Sequence, residues 1–342
     1  MFLLAFLMKY VRTKLGTTKN CSYSCVTQRK VAAKMKLLRI GTRGSQLALA
    51  QTKIIYDALV ALEPGIQLET VIIKTHGDKG IRNQNTGIFT KELENSLANG
   101  NIDMAVHSAK DLPSTISDEF TIATIPFRED PRDALISKNG AGLKELRAES
   151  TIATGSARRK ALILNIRPDL KVESLHGNIT TRLEKLNGND GPDAIMIAAA
   201  GLKRLSVDNR ISEYMKCSEF ISAVGQGALA VEIRKDDREQ LDLLIPLQHE
   251  NTRIEVDAER TFLQTVQSGC SVPVSAHAKV RDGYIWLWAF AANIDGTQIL
   301  RTERHGQASE ANNLAIELGQ ELLDAGASKI VHSPPLEKTG EH

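Results

Sequence analysis

Ile102-Asp103-Met104-Ala105-Val106, running into His107-Ser108-Ala109-Lys110-Asp111-Leu112-Pro113, decides how this chain is read. The first five residues have the short, mostly apolar character of a buried strand. Directly after them stand an imidazole, a hydroxyl, an ammonium and a carboxylate, stopped by a proline. In an open α/β sheet, ligands bind in the crevice beyond the carboxyl ends of the strands. Asp111, placed there, faces a substrate; the plain alternative is a solvated polar turn.

Outward from this stretch, strands and helices alternate. Residues 37–42 read as a strand, 45–62 repeat apolar residues at helical spacing, and Ile66, Leu68, Val71 and Ile73 mark the next strand. Residues 89–98 read as a helix closed by Gly100, and 120–125 as a strand. A pause from Pro126 to Pro131 reads as a polar hinge into a second sheet, with strands at 134–137, 151–154, 172–175 and 194–198. Another strand, 228–233, follows Ala223-Val224-Gly225-Gln226-Gly227, whose glycines mark a backbone crossing. This alternation predicts βαβ units and mostly parallel sheets. From Asn251 the pattern changes. A helix opened by a Thr252/Glu255 capping box runs to about Val266. Strands at 274–280, 284–291 and 298–303 and a helix over 309–323 then predict a small α+β domain.

Composition narrows the function. A chain of 342 residues exceeds one ordinary core, so several domains are expected. No apolar run approaches the roughly 18 to 20 residues that cross a bilayer. Residues 1–36 carry eight Lys or Arg and no acid, leaving 35 bases against 41 acids elsewhere. That mildly acidic body disfavours nucleic acid, which asks for a basic face. Residues 1–34 stand outside the fold. They read either as a transit peptide or as an upstream start codon ahead of Met35, the second being preferred. Four cysteines are too few for a disulfide framework, and there is no His-x3-His or Cys-x2-Cys pair to suggest a metal site. Cys217 reads as a structural thiol, and a reduced, cytoplasm-like compartment fits.

Four turns carry basic chemistry. Thr151-Ile152-Ala153-Thr154-Gly155-Ser156-Ala157-Arg158-Arg159 is a strand, a small-residue turn and a helix start, whose backbone N–H groups favour anions. Two arginines in a first turn oppose the helix dipole, which points to carboxylate or phosphate binding through bidentate forks. His176-Gly177-Asn178 with Arg182, the Ala200–Arg204 stretch and Gly41-Thr42-Arg43-Gly44-Ser45 repeat the design. Together they argue for a cleft built for a polyanionic small molecule, against the alternative of solvated basic helix ends. Cys270, between Gly269 and Ser271 after a long helix, is an accessible thiol and a candidate covalent tether.

At this point the chain resembles the porphobilinogen deaminase (hydroxymethylbilane synthase) family. The matching motifs run in order: Thr42-Arg43, Ser45 and Leu47-Ala48; Phe89 to Glu94; Val106 to Pro113; Arg128 to Ala134; Gly155-Ser156 and Arg158-Arg159. Gly177-Asn178 with Thr181-Arg182, Ala199 to Arg204, Ala223 to Gly227, and Gly269-Cys270 with Val272-Pro273 complete them. The resemblance implies two doubly wound, type 2 periplasmic-binding-protein-like α/β domains plus a small α+β C-terminal domain. The expected bounds are 35–127 with 225–246, 128–224, and 247–342. It implies a monomeric transferase of haem biosynthesis, acting on porphobilinogen and the growing polypyrrole chain. A dipyrromethane cofactor joined by a thioether to Cys270 would prime four head-to-tail condensations, each releasing ammonia. No metal, membrane or nucleic-acid partner is implied.

That chemistry suits the residues. Loss of ammonia leaves positive charge shared with the pyrrole nitrogen, and a carboxylate beside that N–H stabilises it by about 4 kcal/mol at about 4 Å and a dielectric of about 20. Asp111 is the expected catalytic residue. Lys110, Ser156, Arg158 and Arg159, with Asp111, match cofactor-binding positions, and Arg43, Ser45, Phe89, His176, Arg182 and Arg204 match substrate-binding ones. Two departures stand out. The family usually has arginine where His176 stands, and a free imidazole is mostly neutral at pH 7. Thr86 stands where many relatives have lysine in a cover loop. Two alternatives stay open on sequence: a non-catalytic anion receptor of periplasmic type, and a homologue weakened by His176.

Overall fold

The computed structural model describes residues 37–74, 90–267 and 272–333. Among these are three sheets. The first contains β1 (Leu37–Arg43), followed by α1 (Gln46–Leu62), β2 (Gln67–Ile73), α2 (Lys91–Ala98), β3 (Met104–Ser108) and β4 (Phe120–Thr124). The second is built from β5 (Asp133–Ser137), β6 (Thr151–Ala153), α3 (Ala157–Ile166), β7 (Lys171–Glu173), α4 (Ile179–Asn187), β8 (Ala194–Ala198), α5 (Ala199–Arg204) and β9 (Glu213–Tyr214). The chain then returns to the first sheet as β10 (Leu229–Arg234) and α6 (Arg238–Leu244). The third region is α7 (Glu250–Thr265), β11 (Val274–Arg281), β12 (Tyr284–Ala292), β13 (Ile299–Gln307), α8 (Ala311–Asp324) and α9 (Ala327–Ile330).

The α/β class and the α+β C-terminal region are as the sequence predicts. The parallel character is not. The first sheet has the order β2-β1-β3-β10-β4 and the second β7-β6-β8-β5-β9. In the first, β10 runs antiparallel to both β3 and β4; in the second, β5 runs antiparallel to β8 and β9. Only the β1–β2, β1–β3, β6–β7 and β6–β8 pairs are parallel. Alternation of elements predicts parallel neighbours only where each helix closes a βαβ unit. The hinge links bring in β5 and β10 without one.

Burial explains the strand patterns. One face of the first sheet packs Leu38, Ile40, Met104, Val106, Val231 and Ile233 against Ile55 and Leu59 of α1, which lie four apart on one helix face. The other buries Ala105 with Ile102, Phe120, and Leu93 and Leu97 of α2. A strand covered on both sides reads as a continuous apolar run, and β3 accordingly extends to His107 and Ser108, two residues beyond the predicted strand end. In the third sheet β13 alternates, with one face open. The opposite faces of that sheet and of the second meet in one core, where Phe290 and Ala292 join Leu135, Ile152, Leu162 and Phe220.

The α7 cap differs from the expected box. His249, not Thr252, is the N-cap, and its Nδ1 accepts from the Thr252 N–H at 3.2 Å. Glu255 is buried and instead accepts from the Val280 N–H at 2.9 Å. Its partner lies across a tertiary interface that local spacing does not encode. The expected backbone crossing falls at Gly225 and Gly227, both left-handed. A Cβ on Gly227 would lie 2.3 Å from the Glu129 carbonyl oxygen, so the two links pass in backbone contact.

Candidate active site

The site begins where β3 ends. Residues Ala109–Asp111 form a single 3-10 turn, which leaves the Asp111 carboxylate exposed and Lys110 half-buried. Ser108 is held from below, accepting from Gln51 Nε2 at 2.8 Å. Across from this turn, Ser156 caps α3 by accepting from the Arg159 N–H. Lys110, Ser156 and Arg158 line one cavity of about 140 Å3. Its other walls come from the stretch after β3 (Ala109, Leu112 to Ser114), the hinge (Ala223, Val224) and the third region (Arg260, Leu263, Val272, Val274, Ser275).

Charge is concentrated here. Burial pulls the Lys110 ammonium down to about 8, with Asp111 opposing that shift and Arg159 and Arg158 adding to it. Arg158 and Arg159 are themselves buried, and both close on Asp133, which is 0% exposed. Arg158 donates Nη1 to Oδ2 at 2.7 Å and Nη2 to Oδ1 at 3.1 Å; Arg159 donates Nε to Oδ1 at 2.8 Å. Burial alone raises the Asp133 carboxyl, but the two guanidiniums and the Gln226 amide outweigh it and hold Asp133 below the ordinary carboxylate range. The expected pair of ligand-facing arginines is therefore, first, an internally anchored pair carrying one surplus positive charge.

The other candidates lie outside that cavity lining. Ser45 caps α1, accepting from the Ala48 N–H at 3.2 Å, and Arg43 ends β1. Arg182 donates Nε to the Gly177 carbonyl at 2.8 Å, and burial lowers its pKa. Arg204 donates Nη2 to the Gly227 carbonyl at 2.8 Å. Burial carries it down to about 10, with Glu129 partly opposing. Lys203 and Arg204 occupy the last turn of α5, not its first, so this turn does not repeat the predicted helix-start design. His176 is exposed and pairs with the Ser174 hydroxyl at 2.8 Å. Cys217 is half-buried, and its thiol is pushed up to about 12, mainly by burial. Phe89, Thr86 and Cys270 lie outside the described residues, as do residues 1–34.

Several residues that matter here were not singled out from sequence. Gln226 donates Nε2 to Asp133 Oδ1 at 3.0 Å and to the Pro131 carbonyl at 2.7 Å, and accepts from Arg159 Nη2 at 3.2 Å. Arg128 donates Nε to the Gln226 carbonyl at 2.8 Å and pairs with Glu259 of α7. Glu259 also accepts from the Gly225 and Ala278 N–H groups at 2.6 and 2.8 Å. Asp133 and Arg128 lie inside a quoted motif, but sequence gave no reason to expect both to be buried.

A dipyrromethane bears two carboxylates per ring on an apolar frame. The cavity offers apolar walls, an ammonium, a hydroxyl and one edge of a guanidinium. In addition, Arg204 Nε is buried without a hydrogen-bond partner among the described residues. A buried donor left unpaired costs about 1–3 kcal/mol unless something accepts from it. The donor set therefore fits a polycarboxylate pyrrole.

A family profile described as "Porphobilinogen deaminase, dipyromethane cofactor binding domain" matches residues 38–242, and one described as "Porphobilinogen deaminase, C-terminal domain" matches 253–324. The curated Porphobilinogen deaminase of Syntrophobacter fumaroxidans is 41% identical over 301 residues, 86% of this chain and 97% of its own. That of Syntrophotalea carbinolica is 40% identical over 299 residues, 86% and 95% respectively. Among solved structures, the methionine-binding protein MetQ matches at a TM-score of 0.42 and 13% identity, over 62% of this chain and 89% of its own. An arginine-specific periplasmic binding protein of Salmonella typhimurium matches at 0.36 and 12%, over 64% and 94%. With both family profiles in sequence order and relatives at this identity over nearly their whole length, the chain belongs to the porphobilinogen deaminase family.

Proposed function

We propose that this chain is the transferase that joins four porphobilinogen molecules head to tail into hydroxymethylbilane, one ammonia leaving with each condensation. The family match along the chain carries the reading. The cavity that Lys110, Ser156 and Arg158 line together supports it.

When bound through Cys270, a dipyrromethane supplies the nucleophilic pyrrole carbon. The chain's own residues do the rest. Asp111, exposed on the turn after β3, accepts from the pyrrole N–H of an incoming substrate and stabilises the positive charge that grows as the C–N bond to ammonia breaks. Lys110, Ser156, Arg158 and Arg159 hold the cofactor's acetate and propionate groups. Arg43, Ser45, Phe89, His176, Arg182 and Arg204 receive those of the substrate and the lengthening chain. Each new ring brings two negative charges, so the cation supply must extend beyond the first cavity, and Arg182 and Arg204 supply it.

The domain division of 35–127 with 225–246, 128–224, and 247–342 is part of this proposal, supported by each sheet falling within one of these parts. A monomer working in the cytoplasm is the simplest setting. The test is the intact mass of the protein purified from a haem-making host, beside Cys270→Ala. A mass increase of two linked pyrroles, absent from the variant, is expected. An unmodified wild type that releases no ammonia from porphobilinogen would overturn the reading.

A further inference from the structure

The turn that carries Asp111 is gripped at two points by one short link, residues 223–228, which leads into β10. The link folds as two overlapping turns. The Gln226 N–H donates to the Ala223 carbonyl at 2.9 Å, and the Ala228 N–H to the Gly225 carbonyl at 3.1 Å. Gly225, third in the first of these turns, has a φ of +68°, which glycine adopts without strain. The first grip is a hydrogen bond from the Ala109 N–H to the Ala228 carbonyl at 3.0 Å. The second is steric. A Cβ on Gly225 would stand 3.0 Å from each of three atoms: the Ala109 carbonyl carbon, the Ala109 Cβ and the Lys110 nitrogen. The bare Cα of Gly225 therefore lies against the peptide that joins Ala109 to Lys110. The link is held in turn from α7, because the Gly225 N–H donates to Glu259 Oε2 at 2.6 Å, and Arg128 fixes that same carboxylate.

We infer that Gly225 is a positioning residue for the Asp111 carboxylate. It seats the Ala109–Lys110 peptide on a backbone that Glu259 anchors, and so sets where the 3-10 turn presents Asp111. Two demands meet at this position, a positive φ and no side chain between link and turn, and glycine alone satisfies both. A methyl here would make the seated peptide give by a few tenths of an ångström. Asp111 is the residue after Lys110 in a turn of three residues, so the displacement reaches its carboxylate with little slack to absorb it. The effect on catalysis rests on the proposed function, whereas the seat is a property of the protein alone.

The experiment compares the full-length protein from a haem-making host with Gly225→Ala, Glu259→Asp and Gly140→Ala, at a temperature where the proteins compared are folded. Glu259→Asp keeps the charge that faces Arg128 but draws the acceptor back from the Gly225 N–H by one methylene. Gly140 has a φ of +77° with nothing within 4 Å, so Gly140→Ala adds backbone strain alone. Two readouts are taken: steady-state kinetics with porphobilinogen, and amide hydrogen exchange of the 106–113 peptide. Gly225→Ala and Glu259→Asp should each lower kcat about tenfold or more with KM within about threefold, because a small misplacement of a catalytic group costs rate. Exchange over 106–113 should quicken about tenfold in both and stay as in wild type in Gly140→Ala. Wild-type kcat and exchange in Glu259→Asp would overturn the inference, whether or not Gly225→Ala folds. So would a Gly225→Ala protein that matches Gly140→Ala, or one whose KM rises while kcat holds. A wild type lacking the two-pyrrole mass and ammonia release removes the functional reading instead. Exchange over 106–113 in the variants then decides the seat by itself.

Discussion

Arg128 and Glu259 face each other as a two-pronged pair, Nη1 to Oε1 at 2.8 Å and Nη2 to Oε2 at 3.1 Å, with both side chains buried. One sits on the link between the first two sheets and the other on α7, ahead of the segment that carries Cys270. Arg128 keeps its charge because the two glutamates beside it, Glu259 first and Glu255 next, outweigh the effect of burial. The pair therefore fastens the third region to the hinge.

Removing one partner leaves the other charge buried. Arg128→Met should destabilise the protein by about 3–5 kcal/mol in urea unfolding. The double variant Arg128→Met/Glu259→Leu should recover only part of this, because the Gly225 and Ala278 N–H groups lose their acceptor, at about 1–3 kcal/mol each. Full recovery would mean those N–H groups find other partners.

Lys110 makes carboxylate binding sensitive to alkali. Burial lowers its pKa to about 8, so its charge is present at neutral pH and lost as pH rises through that value. The KM for porphobilinogen should climb between about pH 7.5 and 9, and Lys110→Arg should abolish the climb, since a guanidinium stays charged. The unfolded chain keeps this lysine protonated to about pH 10.4, so between about 8 and 10.4 the group makes stability rise with pH, the opposite of the binding trend. A KM profile shared by the two proteins would exclude Lys110 as the sensor.

Asp111 is expected to act on the chemical step. Asp111→Asn removes the charge and keeps the shape, and about 4 kcal/mol of lost stabilisation corresponds to about a thousandfold in kcat. KM should change far less. Stopped-flow measurement of ammonia release distinguishes this from a binding defect, in which KM would rise and kcat would hold.

His176 offers the converse experiment. It is exposed beside Ser174 and near Lys185, whose Nζ donates to the His176 carbonyl at 3.4 Å. His176→Arg should lower the KM, because arginine presents a fixed, charged fork to a carboxylate. An unchanged KM would remove the idea that this position weakens binding.

The crossing of the hinge links is testable through two glycines. Gly227→Ala brings a methyl to 2.3 Å from the Glu129 carbonyl oxygen at a φ of +88°, and should abolish soluble expression or lower Tm sharply. Gly140→Ala has a similar φ of +77° with nothing within 4 Å. It should cost only about 1 kcal/mol, the price of the left-handed backbone alone. Equal losses would place the strain in φ and not in the crossing.

Much of the fold was legible because apolar period and capping residues act locally. Ser45, Ser156 and Asn178 each cap the helix that follows them, as a hydroxyl or amide before a helix should. The turn that holds Lys110 and Asp111 could be placed because a buried apolar strand followed by charged residues and a proline is a local pattern. What could not be read depends on partners far along the chain. Arg158 and Arg159 looked free because their shared acceptor, Asp133, is 25 residues upstream and Gln226 is 67 residues downstream of Arg159. Glu255 looked like a cap because its true partners, Arg128 and the Val280 N–H, belong to other elements. The antiparallel strands escaped notice for the same reason, since pairing with β10 is set by the return of the chain and not by any local pattern.

That return has a consequence for synthesis. β10 lies between β3 and β4, which are complete by Thr124, yet it begins only at Leu229. A ribosome adding about 5–20 residues per second leaves those two strands without their shared neighbour for seconds while the second sheet is made. Unpaired strand edges are templates for association with other chains. The half-built first sheet is thus the stage at which a growing chain most needs protection, and substitutions that slow the second sheet would reduce yield before they touch activity.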